Sequence, residues 1–196
     1  MHDSTLTLLP PKPASVKTFK RRDYIPLQKD TLWQIRTGAV RLCAIAEDGA
    51  IITLGFWSTG DLVGRLLVGI ESCQIECLTD VEVVRLETSH CWNLNEVMLA
   101  HISQMQELIR MRHGHILQRL RLLLEWLAAK FGKATEQGCL ITLRLTHQQI
   151  AEVVGTSRVT VTRLLLELER DNEICYARKQ CITLQNDSQK MLMSSF

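Results

Sequence analysis

Four side chains within one short stretch, Arg158, Val159, Thr162 and Arg163, are of types that can read the edge of a nucleic-acid duplex. An arginine fork donates two hydrogen bonds to guanine O6 and N7, and a valine can lie against a thymine methyl. Around them stand Thr146, Gln148, Thr156, Ser157 and Thr160, whose hydroxyl and amide groups suit phosphate oxygens. Arg178 and Lys179 follow, placed to grip flanking backbone. This chemistry needs a rigid frame that turns all of these groups to one side.

The stretch "LTHQQIAEVVGTSRVTVTRLLLELE" supplies that frame. Thr146 stands at an N-cap position, and Ile150, Ala151 and Val154 make one face of a short helix. Gly155 ends it, being free to take positive φ. Thr156 or Ser157 caps a second helix with an inner face of Val161, Leu164, Leu165 and Leu168. Ala151 is small where the second helix crosses it. Two helices joined by a short glycine-bearing turn are a helix-turn-helix. A helical hairpin that only buries itself would explain the alanine, the glycine and the leucines. It would not explain an outward face of Arg, Val, Thr and Arg. Two short strands, "EICYA" and "CITLQ", follow as a hairpin joined at "RKQ".

The rest of the chain reads in two textures. Residues 1–15 hold Pro10, Pro11 and Pro13 and form a lead-in. From Val16 to Leu86 short apolar runs alternate with turn residues. Strands are expected at 32–36, 39–46 and 50–57 with a hairpin turn at 47–49, a glycine-rich loop at "STGDLVG", and two strands in "CQIECLTDVEVVRL". This is the pattern of a small sandwich or barrel. Beyond residue 89 the period changes. Met98, Ile102, Met105 and Ile109 are spaced 4-3-4, the seam of a helix over roughly 95–112. Gly114 breaks the pattern, and a second helix runs over roughly 116–131.

Composition bounds the function. The chain has 196 residues, 46% hydrophobic and 22% charged, with a net charge of +2, so any nucleic-acid surface must be a local patch. No secretory signal and no apolar run of the ~18 residues that span a membrane is present. The seven cysteines are scattered, and a cytoplasmic protein with reduced thiols is expected. Cys73, Cys77 and Cys91 lack the paired spacing of a metal site and read as small apolar side chains. His113 and His115 flank Gly114 as solvent-facing hinge residues. No serine-hydrolase elbow, phosphate loop or zinc-protease pattern occurs, so neither enzyme activity, cofactor nor metal is expected.

Taken together, "LTHQQIAEVVGTSRVTVTRLLLELERDNEI" resembles the helix-turn-helix signature of the Crp/Fnr family of bacterial transcription regulators, and "SRVTVTRLL" is similar to its cyanobacterial nitrogen-regulator branch. "GAVRLCAIAEDGAIITLGFWSTGDLVG" resembles the middle of the family's β-roll. The resemblance implies an α+β chain: a cyclic-nucleotide-binding-like β-roll over 1–92, a dimerisation helix over 93–113, and a winged helix-turn-helix over 114–196. It implies a homodimer paired along Met98, Ile102, Met105 and Ile109, bound to a pseudo-palindromic operator of the GTA-N8-TAC kind. It gives Arg158 and Arg163 base-reading roles and places Val159 where many relatives have glutamate. Its partners are double-stranded DNA, a second copy, and RNA polymerase or another transcription protein, with no membrane.

The sensory end departs from the family. In "GRLLVGIESCQIEC" Arg65 stands where cyclic-AMP-binding relatives have glutamate, and Ser72-Cys73 stands near their arginine. A cyclic phosphate without its arginine loses its main charge-assisted contact, so the cyclic-nucleotide site is expected to be lost. Two alternatives stay open: a regulator gated by a 2-oxoacid or other small anion at Arg65, and a dimeric protein-interaction scaffold.

Overall fold

The computed structural model describes residues 16–29, 31–86, 94–177 and 181–185. Eight strands build the first lobe: β1 (Val16–Phe19), β2 (Tyr24–Ile25), β3 (Leu32–Thr37), β4 (Ala39–Ile45), β5 (Ile51–Ser58), β6 (Leu62–Gly64), β7 (Cys73–Cys77) and β8 (Val81–Leu86). They pair antiparallel in two four-stranded sheets, β1-β8-β3-β6 and β2-β7-β4-β5. Trp33, Ile35, Val40, Leu42, Trp57, Val63, Ile75 and Val83 fill the space between them. Strand alternation sends Val40 and Leu42 into this core and turns Ala39 and Arg41 the other way.

The "STGDLVG" segment corrects the expectation of a loop. Its second half is β6, which pairs Leu62, Val63 and Gly64 with Gln34, Trp33 and Leu32 before a 3-10 turn at Arg65–Leu67. Three residues are too few to show an alternation, yet burying Val63 beside Trp33 suffices to hold them in the sheet.

Helix α1 (Leu94–Arg110) has two apolar sides. His101, Gln104 and Leu108 face inward. The His101 ring stacks on Trp57 at 4.5 Å, its Nε2 meets the Leu62 carbonyl at 2.8 Å, and the Phe56 N–H donates to Gln104 Oε1. On the outer side Met98, Leu99, Ile102 and Ile109 are exposed, with Met105 half-buried. A turn containing exposed His113, Gly114 at φ +89 and exposed His115 leads to α2 (Ile116–Phe131).

The second lobe adds a hairpin of β9 (Gly132–Thr135) and β10 (Gly138–Ile141), then α3 (His147–Val154), α4 (Arg158–Arg170), β11 (Ile174–Ala177) and β12 (Cys181–Gln185). The four strands form one sheet in the order β11-β12-β10-β9. The hairpin β9–β10 carries no sequence signal, because "GKAT" is exposed throughout and shows no alternation. Leu120, Leu123, Leu127, Ile150, Ala151, Val161, Leu165 and Leu168 form the lobe's core. Ala39, Phe56 and Leu78 from the first lobe belong to the same core, so apolar packing is continuous across the joint.

Candidate nucleic-acid interface

The two helices that carry the candidate residues start and stop where their caps dictate. The Thr146 hydroxyl accepts from the Gln149 N–H at 3.1 Å, and Gln149 Oε1 accepts from the Thr146 N–H at 2.9 Å. This reciprocal pair satisfies two free donors at the start of α3. Gly155, at φ +76, closes the helix and returns its N–H to the Ala151 carbonyl. Ser157 rather than Thr156 then caps α4, accepting from the Thr160 N–H at 3.1 Å. Val161, Leu164, Leu165 and Leu168 are buried against α3, so rotation of α4 about its axis is fixed.

That rotation leaves Arg158 exposed, Val159 78% exposed and Arg163 with a side chain 70% exposed. Arg163 has only a loose ion pair to Glu167 at 3.9 Å, which water screens. Thr162 shares the face, but its hydroxyl donates to the Arg158 carbonyl at 3.0 Å and meets His147 Nδ1 at 2.7 Å. Its oxygen is engaged inside the protein. Gln148 is exposed and donates to Glu152 Oε1 at 3.0 Å. Burial, then the nearby Arg158 charge, lower the pKa of His147. Arg178 and Lys179 lie outside the described residues.

Other candidates sit apart from this face. The Arg65 guanidinium donates to the Ile70 carbonyl and reaches Cys73 Sγ at 3.6 Å, tying down its own loop. Cys43 and Cys77 are buried, and burial pushes their thiols up to about 11 and about 12, which suits inert apolar packing. Cys91 lies outside the described residues.

Residues unremarked in the sequence fix how α3 and α4 sit on the first lobe. Arg41 of β4, its side chain 4% exposed, pairs with Glu76 of β7 and Glu152 of α3, both at 2.6 Å. Gln149 Nε2 donates to the other Glu76 oxygen at 3.0 Å. Lys130 Nζ donates to the Phe56 carbonyl at 2.6 Å and lies 5.5 Å from the Trp126 ring centre. The joint holds α3 from behind and leaves the Arg158–Val159–Arg163 face of α4 to solvent. An arginine inside the apolar run "AVRLCAI" was the one available signal.

A β-roll, a helix with a free apolar side and a capped helix-turn-helix define a DNA-binding transcription regulator. The chain belongs to the Crp/Fnr family of such regulators. Residues 16–96 match the cyclic nucleotide-binding domain and residues 118–188 the Crp-like helix-turn-helix domain. The chain is 36% identical over 178 residues to the regulatory protein CysR of Synechococcus elongatus, covering 86% of this chain and 85% of that protein. It is 31% identical to the global nitrogen regulator of Synechocystis, covering 89% and 86%. A Crp-family transcriptional regulator of Thermus thermophilus shares the fold, with a TM-score of 0.76 at 24% identity, over 91% of this chain and 96% of that one. Among the described residues no helix is long and apolar enough to cross a membrane.

Proposed function

We propose that two copies of the chain pair along Met98, Ile102, Met105 and Ile109 and read a pseudo-palindromic operator, one half-site per copy. Arg158 and Arg163 donate to base edges, Val159 packs on a base methyl, and Thr162 supports His147 beside them. Thr146, Gln148, Thr156, Ser157 and Thr160 line the phosphates, with Arg178 and Lys179 on the wing. The observation that carries this reading is the exposed Arg158–Val159–Arg163 face on a helix whose opposite side is locked into the core. A GTA-N8-TAC operator is the expected sequence class, and RNA polymerase or another transcription protein the expected further partner.

The β-roll serves as a scaffold without a cyclic nucleotide. Arg65 spends its guanidinium on its own loop, and Trp57 and His101 fill the contact between β5 and α1. These contacts support a reading in which the protein binds DNA without an effector. Binding of ligand-free protein to a GTA-N8-TAC duplex, measured at two salt concentrations, tests this. Tight and sequence-selective binding is expected; weak, non-selective binding at both would refute it.

A further inference from the structure

The turn between β1 and β2 holds two arginines that the helix-turn-helix does not account for. It is fixed at every corner. The Lys20 N–H donates to Asp23 Oδ2 at 2.7 Å, the Arg21 N–H to Asp80 Oδ1 at 3.0 Å, and the Arg22 N–H to the Cys77 carbonyl at 2.7 Å. Arg22 takes φ +77, a left-handed backbone that glycine or asparagine ordinarily occupies. The turn is thus a rigid mount for two long cationic side chains.

These side chains stand beside the reading face. Arg21 Nη2 donates to the Arg144 carbonyl at 3.1 Å, just ahead of the α3 cap. An open cleft of about 740 Å³ runs between the lobes, lined among others by Arg21, Arg22, Arg144, His147, Gln148 and Arg158. In a chain whose net charge is only +2, this concentrates positive charge in one place. Lys20, Arg41, Arg110, Arg121, Arg163 and Arg170 are each held in an ion pair, whereas among the described residues no ion pair engages Arg21, Arg22 or Arg158. The neighbouring acid Asp80 is spent on Lys20 and the Arg21 N–H, and Asp23 on the Lys20 N–H. The arginines come from separate places in the chain, the β1–β2 turn, the segment ahead of α3 and the start of α4. They form a strip, which fits the repeating charge of a polyanion better than a small anion gripped at one point.

We propose that Arg21 and Arg22 hold DNA phosphates flanking the half-site read by α4, making the β-roll part of the DNA interface. This extends the reading above and rests on it for the position of the duplex. Phosphate contacts outside the half-site add affinity and salt dependence without adding sequence preference.

Arg22→Gly tests the proposal cleanly, since glycine suits φ +77 and keeps the fold. Arg22→Lys keeps the charge. Full-length protein is titrated by fluorescence anisotropy against GTA-N8-TAC in a duplex of about 40 base pairs and in one trimmed to about 20, close to the reach of two half-sites one turn apart. On the long duplex, Arg22→Gly should bind roughly tenfold more weakly at about 0.1 M salt, and the slope of log affinity against log salt should fall by about 2 per dimer. On the short duplex it should match wild type, the ratio of operator to scrambled DNA should hold on both, and Arg22→Lys should restore most of the loss. An unchanged slope on the long duplex, or an equal loss on both, would overturn the proposal. Absence of sequence selectivity in the wild type, or its retention in Arg158→Ala, would instead count against the base-reading assignment. The two failures are therefore separable.

Discussion

Arg158 and Gly155 do different work a few residues apart. Arg158 is exposed on the first turn of α4 and has no ion pair among the described residues, so its loss removes little packing and tests the proposed base contact directly. Arg158→Ala should cost about 1–3 kcal/mol of operator binding and relax discrimination at a single guanine, read by competition against single-base operator variants. Gly155 acts through the backbone. At φ +76 a Cβ crowds its own following carbonyl, although no neighbouring atom lies closer than 3.8 Å. Gly155→Ala should lower stability by about 1–2 kcal/mol in urea titration. The denaturant slope should stay unchanged.

Helix α1 packs one face on the first lobe and leaves to solvent the apolar face proposed as the dimer seam. The outer residues Met98, Leu99, Ile102 and Ile109 are exposed in the single chain, so a charge placed there leaves the protomer intact. Ile102→Asp should turn a dimer into a folded monomer, seen by light scattering with unchanged far-UV dichroism. It should weaken operator binding by at least about a hundredfold, since a carboxylate buried in an apolar seam loses its water. The inner face makes a pH prediction. Burial lowers the pKa of His101 below its ordinary 6.5, and its Nε2–H donates to the Leu62 carbonyl. Below 6.5 the unfolded chain takes up a proton that the folded chain resists, so stability falls as pH falls. His101→Phe keeps a ring against Trp57 with nothing to titrate. It should lose less stability than wild type between about pH 7 and about pH 5, measured by thermal unfolding.

At the scale of the whole molecule, the joint between lobes decides where the exposed Arg158–Val159–Arg163 face points. Two carboxylates, Glu76 and Glu152, share one guanidinium in a nearly dry site. Removing Arg41 leaves both without a cation, which outweighs the methylenes lost. Arg41→Ala should destabilise the chain by about 3–5 kcal/mol, seen as a lower urea midpoint. The apolar part of the joint, where Phe56 meets Trp126 at 5.8 Å between ring centres, should keep the lobes in contact at moderate denaturant. Fluorescence of the tryptophans and far-UV dichroism should therefore still report one transition.

Local signals carried the helix-turn-helix. Caps at Thr146 and Ser157, the left-handed Gly155 and the leucine spacing of α4 act between residues close in the chain, and their energies do not depend on what lies far away. The strands at Leu32–Thr37, Ala39–Ile45 and Ile51–Ser58 were legible for the same reason, as short apolar runs bounded by turn residues. Strand β6 and the hairpin β9–β10 were not, because short or fully exposed strands are held by partners supplied from elsewhere. The same limit hid Arg41, Glu76 and Glu152, which are separated in sequence by 35 and 111 positions counted from Arg41. A lone arginine or glutamate carries no mark of its partner. Only the tertiary structure, by bringing β4, β7, α3 and the β1–β2 turn together, decided which charges are buried as a joint and which line the open cleft. A charge's role is set by its dielectric surroundings and its neighbours in space.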